Sequence, residues 1–199
     1  AIPNYVSYTP FLDSLAGNSL RFTNFFANGR KSNHAMPSIL AGIPTFKTAY
    51  TSSPYVLQPL ESTLSILNEK NYDTSFFHGA PNGSMGLLGF SSVLGYDHYY
   101  GKDEYQNEDD FDGYWGIWDE PFLGYVKTVL DKKEAPFFST IFTVTSHEPF
   151  IIPGWITRSF VETVSMVFIA EMLANFDGDV ARICPKKHTF HIVNITGIP

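Results

Sequence analysis

Apolar positions recur along this chain with two distinct periods. Between residues 9 and 16, Phe11, Leu12 and Leu15 fall on one helical face, and Gly17-Asn18 supply a stop. Aromatic and β-branched residues from 19 to 26 predict a strand, which Ala27-Asn28-Gly29 breaks. Residues 33–41 predict a helix with Pro37 in its early turns, Ile39 and Leu40 as apolar positions and Gly42 as cap, so Ser32 stands at its N-terminus. Residues 59–70 predict an amphipathic helix with Leu60, Leu64 and Leu67 on one side, leading into a strand over 72–78. A glycine-rich loop spans 79–89, and the polar, aromatic and acidic stretch 96–114 reads as a long surface excursion. Asp119-Glu120-Pro121 opens a further helix as N-cap and first-turn proline. Phe122, Val126 and Leu130 form its apolar stripe, and it ends near Lys132-Lys133. The apolar run 137–144 predicts a strand buried on both faces, delivering Thr145-Ser146-His147 at its carboxyl end.

Helices alternating with buried strands predict an α/β fold, a mostly parallel sheet with helices on both faces. In such sheets functional groups gather beyond the carboxyl ends of the strands, and Ser32, His78 and His147 all follow predicted strands. No internal repeat or low-complexity linker interrupts the pattern. A length of 199 residues suits one domain or a large fragment of a bigger one.

Composition narrows the partners. Hydrophobic residues at 44% and charged ones at 17%, with Phe and Tyr abundant, describe a packed body with aromatic-lined clefts rather than a disordered chain. A net charge of -7, with no basic cluster beyond Arg30-Lys31 and Lys186-Lys187, excludes a nucleic-acid partner. An acidic protein acting on anionic esters needs a metal ion or a local Arg or Lys to hold them. The single cysteine, Cys184, excludes an internal disulfide and reads as a small core residue. No apolar run approaches the roughly 20 residues that span a bilayer, so the chain is expected to be soluble as it stands. Its start at Ala1, without methionine or leader, is expected to reflect excision from a longer protein.

Candidate chemistry centres on Arg30-Lys31-Ser32. A hydroxyl at a helix start lies where backbone N–H groups and the positive helix end can hold an anion, which is what an ester-cleaving nucleophile needs. On local features alone Ser32 is equally a helix cap. His78 and His147 each close a strand, and either could donate a hydrogen bond to a phosphate or sulfate oxygen or protonate a leaving group. The acidic run Glu108-Asp109-Asp110-Phe111-Asp112 lacks the spacing of a calcium loop and reads as a solvated loop that binds no structural ion. Asp177-Gly178-Asp179 reads as a turn. The segment Tyr114-Trp115-Gly116-Ile117-Trp118 is either the lining of a sugar or lipid cleft or a packed lid over the sheet edge.

Taken together, several blocks resemble the lipoteichoic acid synthase-like branch of the sulfatase/alkaline-phosphatase superfamily. They are Phe22-Thr23-Asn24-Phe25-Phe26, Gly29-Arg30-Lys31-Ser32 and Pro37-Ser38-Ile39-Leu40-Ala41-Gly42-Ile43-Pro44, followed by Phe76-Phe77-His78-Gly79, Leu94-Gly95-Tyr96-Asp97, Trp118-Asp119-Glu120-Pro121-Phe122 and Thr145-Ser146-His147-Glu148-Pro149-Phe150. The resemblance covers residues 1–153 as a partial catalytic domain and leaves 154–199, with one amphipathic helix over 160–174, as a segment of unrecognised pattern.

It implies a metal-dependent hydrolase or phosphoglycerol transferase that cleaves phosphate or sulfate esters through a covalent Ser intermediate. Ser32 would be nucleophile and metal ligand, with His78, His147 and Arg30 binding the anionic head of a phosphorylated or sulfated glycan or lipid. It also implies one divalent ion, manganese first, with zinc, calcium or magnesium as alternatives. The domain would be extracytoplasmic in a membrane-anchored bacterial parent. Three departures accompany it, the first being that Met85 and Leu87 stand near where lipoteichoic acid synthases carry a Trp and an Arg for the glycerophosphate. The family's acidic first-strand ligand would precede Ala1, and the Asp-His pair expected after His147 is missing, since Asp97-His98 lies upstream. Weak metal binding and impaired turnover are therefore expected of this chain. The runner-up is a non-catalytic relative that binds a glycan or lipid head group. A metal-free serine hydrolase ranks last, because no Gly-x-Ser-x-Gly elbow surrounds Ser32.

Overall fold

The computed structural model describes residues 10–19, 28, 31–134, 136–145, 147–149, 151 and 191–192. Among the described residues, four parallel strands form a sheet in the order β2-β1-β3-β4: β1 (Asp73–His78), β2 (His98–Tyr100), β3 (Phe137–Phe142) and β4 (His191–Ile192). Around them lie α1 (Pro10–Gly17), α2 (Ser32–Ala41), α3 (Thr63–Asn68), α4 (Leu87–Leu94), α5 (Lys102–Tyr105) and α6 (Asp119–Leu130). The α/β expectation holds. All but Ser19 of the strand predicted over 19–26, the helix over 160–174, Arg30 and Cys184 lie outside the described residues.

The period-2 alternation of β1 and β3 divides the core into two layers. Phe76 and Phe138 face one side, with Met36 and Leu40 of α2, Leu64 of α3, and Leu87, Phe90 and Leu94 of α4. Phe77 and Ile141 face the other, with Ile117 and with Phe122, Leu123, Val126 and Leu130 of α6. Phe76, Phe77, Phe90 and Phe122 are all at most 1% exposed, and each such side chain contributes roughly 1.5–3 kcal/mol by leaving water. The aromatic pairs Phe76–Tyr99 and Phe77–Tyr100 stack across β1 and β2, with centroids 5.6 and 4.8 Å apart.

Several sequence expectations need correction. The helix predicted over 59–70 is only α3, because Ser62 and Ser65 close a capping box that fixes its start. The glycine-rich loop ends earlier than expected: α4 begins at Leu87, and Phe90 and Leu94 bury one of its faces. Part of the supposed surface excursion is β2, an integral strand tied in by Asp97, whose Oδ2 accepts from the N–H and the hydroxyl of Thr74, both at 2.8 Å. Finally, β3 is not buried throughout; Phe138 and Ile141 are, whereas Ser139 and Thr140 are half-exposed.

Candidate active site

His78 closes β1 and is 1% exposed. Its Nδ1 lies 3.3 Å from the Tyr99 hydroxyl, and its ring meets Phe142 edge-on at 4.8 Å. Burial lowers its pKa to about 4, so the ring is neutral at physiological pH. Burial also raises the Tyr99 phenol, with Glu104 and Asp103 adding to the effect. The phenol can donate to Nδ1 or accept from it, so this contact is compatible with either neutral tautomer, and Nε2 has no partner among the described residues. His78 is thus a buried polar group that carries no charge.

The chain leaving β1 is held tightly. The Gly79 carbonyl accepts from Ile117 N–H at 2.7 Å, and a Cβ at Gly116 would stand 2.3 Å from that same oxygen, so only glycine fits at 116. This contact docks the 107–118 loop onto the carboxyl end of β1. Inside the loop, one Asp112 carboxylate oxygen accepts the N–H groups of Tyr114, Trp115 and Gly116 at 2.8–3.0 Å. Asp110 accepts from Tyr105 and Asn107, and Lys102 pairs with Glu108. These carboxylates serve as acceptors that shape the loop.

His147 follows β3 on an exposed turn in which its N–H donates to the Val144 carbonyl at 3.0 Å. Its Nδ1 is 2.9 Å from the Glu148 carbonyl, an oxygen that can only accept, so Nδ1 carries a proton and Nε2 is an acceptor while the ring is neutral. Trp115 packs against this ring at 4.1 Å, the two planes tilted by 45°, and donates Nε1–H to the same Glu148 carbonyl at 2.5 Å. Of the two sequence readings for the aromatic segment, Ile117, fully buried, supports a packed lid, while Tyr114 and Trp115 keep 65% and 46% of their surface exposed.

Ser32 is the first residue of α2. The cap position belongs to Lys31, which makes no side-chain cap bond, so the capping reading of Ser32 is set aside. Met36 and Leu40 seat α2 on the sheet face that also carries Tyr99 and Phe142, the neighbours of His78. Among the described residues no hydrogen bond or ring contact joins Ser32 to either histidine. Beside it, Asn33 Oδ1 and His34 Nδ1 are buried without partners among the described residues.

Sequence reasoning took Asp119 for a helix cap. In the structure Trp118 holds the cap position, and Asp119, 1% exposed, reaches across to the end of β3. Its Oδ1 accepts from Val144 N–H at 2.8 Å and Thr145 N–H at 3.1 Å, while the Thr145 hydroxyl accepts from Asp119 N–H at 2.7 Å. Burial raises its carboxyl to about 6, against the opposing pull of those N–H donors. The only local signal was an Asp before Glu-Pro, which a helix start also explains.

Asp97-His98 begins β2, with His98 in register with Ser75 and its Nε2 3.7 Å from Asp73 Oδ1. The pair therefore belongs to the amino end of the sheet, away from His78. Among the described residues no group of three or more His, Cys, Asp or Glu side chains could hold a metal, and Ser32 alone is not a site. No helix among them is long and apolar enough to cross a membrane.

Residues 2–181 match the Sulfatase family, a span that runs beyond Pro153. Among solved structures the chain is similar to a protein of the alkaline phosphatase superfamily from Vibrio parahaemolyticus, at 25% identity and a TM-score of 0.76, over 88% of this chain and 45% of that one. It also shares its fold with the lipoteichoic acid synthase LtaP from Listeria monocytogenes, at 22% identity and a TM-score of 0.72, over 89% of this chain and 47% of that one. The chain thus spans under half the length of either neighbour. With the family match running through β1, β2 and β3 and both neighbours sharing the fold, the chain belongs to the sulfatase family, within the alkaline phosphatase superfamily.

Proposed function

We propose that this chain forms part of a catalytic domain that cleaves phosphate or sulfate esters through a covalent intermediate on Ser32. The Ser32 oxygen attacks phosphorus or sulfur, the ester oxygen departs and takes up a proton, and water or an acceptor hydroxyl then releases the group from Ser32. The observation that carries this reading is the position of Ser32 within the family-matched segment: it opens the ten-residue α2 but is not its cap. Its hydroxyl is therefore left for chemistry, beside N–H groups and a helix dipole suited to an anionic oxygen.

The two histidines divide the remaining work. His78, neutral, donates a hydrogen bond to a phosphoryl or sulfuryl oxygen from Nε2. His147 can donate from Nε2 only as an imidazolium, which suits it to protonating the departing oxygen. Arg30 is assigned to the anionic head on charge alone.

Members of this family use divalent metal ions. Manganese is the first choice here, with zinc, calcium or magnesium as alternatives, and Ser32 as one ligand. The described residues do not complete a ligand set, so the steps above are derived for the chain's own groups. The substrate class is a phosphorylated or sulfated glycan or lipid head group, on the outer side of the cell membrane in a membrane-anchored parent.

The test is adduct mapping. After incubation with manganese and either p-nitrophenyl phosphate or p-nitrophenyl sulfate, mass spectrometry should find a phosphoryl or sulfuryl group on the peptide bearing Ser32, absent in Ser32→Ala. An adduct elsewhere, or turnover that survives the substitution, removes Ser32 from the mechanism.

A further inference from the structure

We infer that Asp119 is a positioning residue for His147, acting through the backbone of Val144 and Thr145. The inference rests on the reading of His147 as a substrate contact. Three observations carry it. First, Asp119 and Thr145 make a reciprocal clamp across the sheet end, two N–H groups on the carboxylate oxygen and one on the hydroxyl. Second, the His147 N–H hangs from the carbonyl of Val144, one of the two residues so clamped. Third, Trp115, four residues before Asp119, grips the far side of the same turn through the His147 ring and the Glu148 carbonyl. Segment 115–119 thus fixes both ends of the turn that presents His147.

A structural role alone explains the clamp less well. A helix start is satisfied by an exposed acceptor, whereas burying a carboxylate to 1% exposure carries a desolvation cost. Asp119 Oδ2 has no partner among the described residues, so Oδ1 alone makes the ties described here, all to the strand end that leads to His147. Displacement of a catalytic imidazole by as little as about 1 Å can cost about a hundredfold in rate, which is the scale on which such a clamp matters.

The experiment compares the unmodified protein with Asp119→Ala, Asp119→Asn, Thr145→Val and His147→Ala. The readouts are the His147 Cε1–H resonance, assigned by its loss in His147→Ala, the acid quenching of Trp115 emission by the protonated His147 ring, and binding of inorganic phosphate in the presence of manganese. Asp119→Ala should shift the resonance, relieve the quenching and weaken phosphate binding about tenfold, the scale of one or two lost hydrogen bonds. Asp119→Asn keeps an oxygen for both N–H groups and should restore all three signals to within about twofold. Thr145→Val, which removes only the hydroxyl, should give an intermediate change and decides the matter if Asp119→Ala does not fold. Resonance and quenching that stay unchanged in a folded Asp119→Ala, or in Thr145→Val when the former is unfolded, overturn the inference. Phosphate binding that is indifferent to His147→Ala overturns instead the reading of His147 as a substrate contact, while the resonance and quenching still decide what Asp119 does.

Discussion

His78 ends β1 and His147 follows the adjacent parallel strand β3, yet the fold treats them in opposite ways. His78 is sealed at 1% exposure between Phe142 and Tyr99, and its pKa is held at about 4 by burial. His147 is exposed, held by a tryptophan ring and by backbone carbonyls. Burial keeps His78 uncharged, with its Nδ1 beside the Tyr99 hydroxyl, whereas the Glu148 carbonyl fixes a proton on His147 Nδ1 and leaves Nε2 an acceptor while that ring is neutral. Two residues of one type thus offer different chemistry at one end of the sheet. What sets them apart is burial, together with the neighbour of Nδ1.

Replacing each histidine breaks the comparison most sharply. His78→Ala should lower stability by about 2–4 kcal/mol in urea unfolding, since it empties a packed site, while His147→Ala should change it by less than about 0.5 kcal/mol. Equal losses would mean that the burial contrast is not energetic.

Gly116→Ala attacks the dock between the two strand ends. A Cβ placed 2.3 Å from the Gly79 carbonyl forces the loop away, at about 1–3 kcal/mol. The same displacement should lift Trp115 from His147 and alter its emission. A protein with unaltered stability and emission would show that the loop is not anchored at Gly79.

The finest test is the pH dependence of stability. His78 is held below its ordinary 6.5, so its contribution is present above 6.5 and is lost as pH falls toward about 4. Asp119 is held above its ordinary 3.8, so its contribution is present below 3.8 and is lost as pH rises through about 6. Between about 4 and 6 the two oppose each other. Asp119→Asn leaves only the histidine's effect, so the variant should lose stability on acidification more steeply than the unmodified protein, by about 1 kcal/mol per pH unit. Denaturation curves at several pH values whose difference stays constant would contradict the raised Asp119 pKa.

Much of the frame was legible because its signals are local. The stripe Phe122, Val126, Leu130 and the cap Gly42, at φ 66°, announced α6 and α2, and the aromatic run before His78 announced β1. What failed to read were short elements among glycines and tyrosines. The start of α4 is marked by Gly86 at φ 71° rather than by a polar cap, and three residues are too few for β2 to display a period.

The sequence by itself determined the order of α2, β1, α6 and β3, the α/β class, and the placement of Ser32 at a helix start and of two histidines after strands, because propensity and periodicity act over a turn or two of chain. Only the tertiary structure decided that Asp119 serves β3 rather than its own helix, that Asp97-His98 lies at the sheet's amino end, and that His78 is sealed and uncharged. Those outcomes depend on partners 21 to 26 residues away for Thr74, Tyr99, Val144 and Thr145, and on an interior where burial disfavours the charged ring.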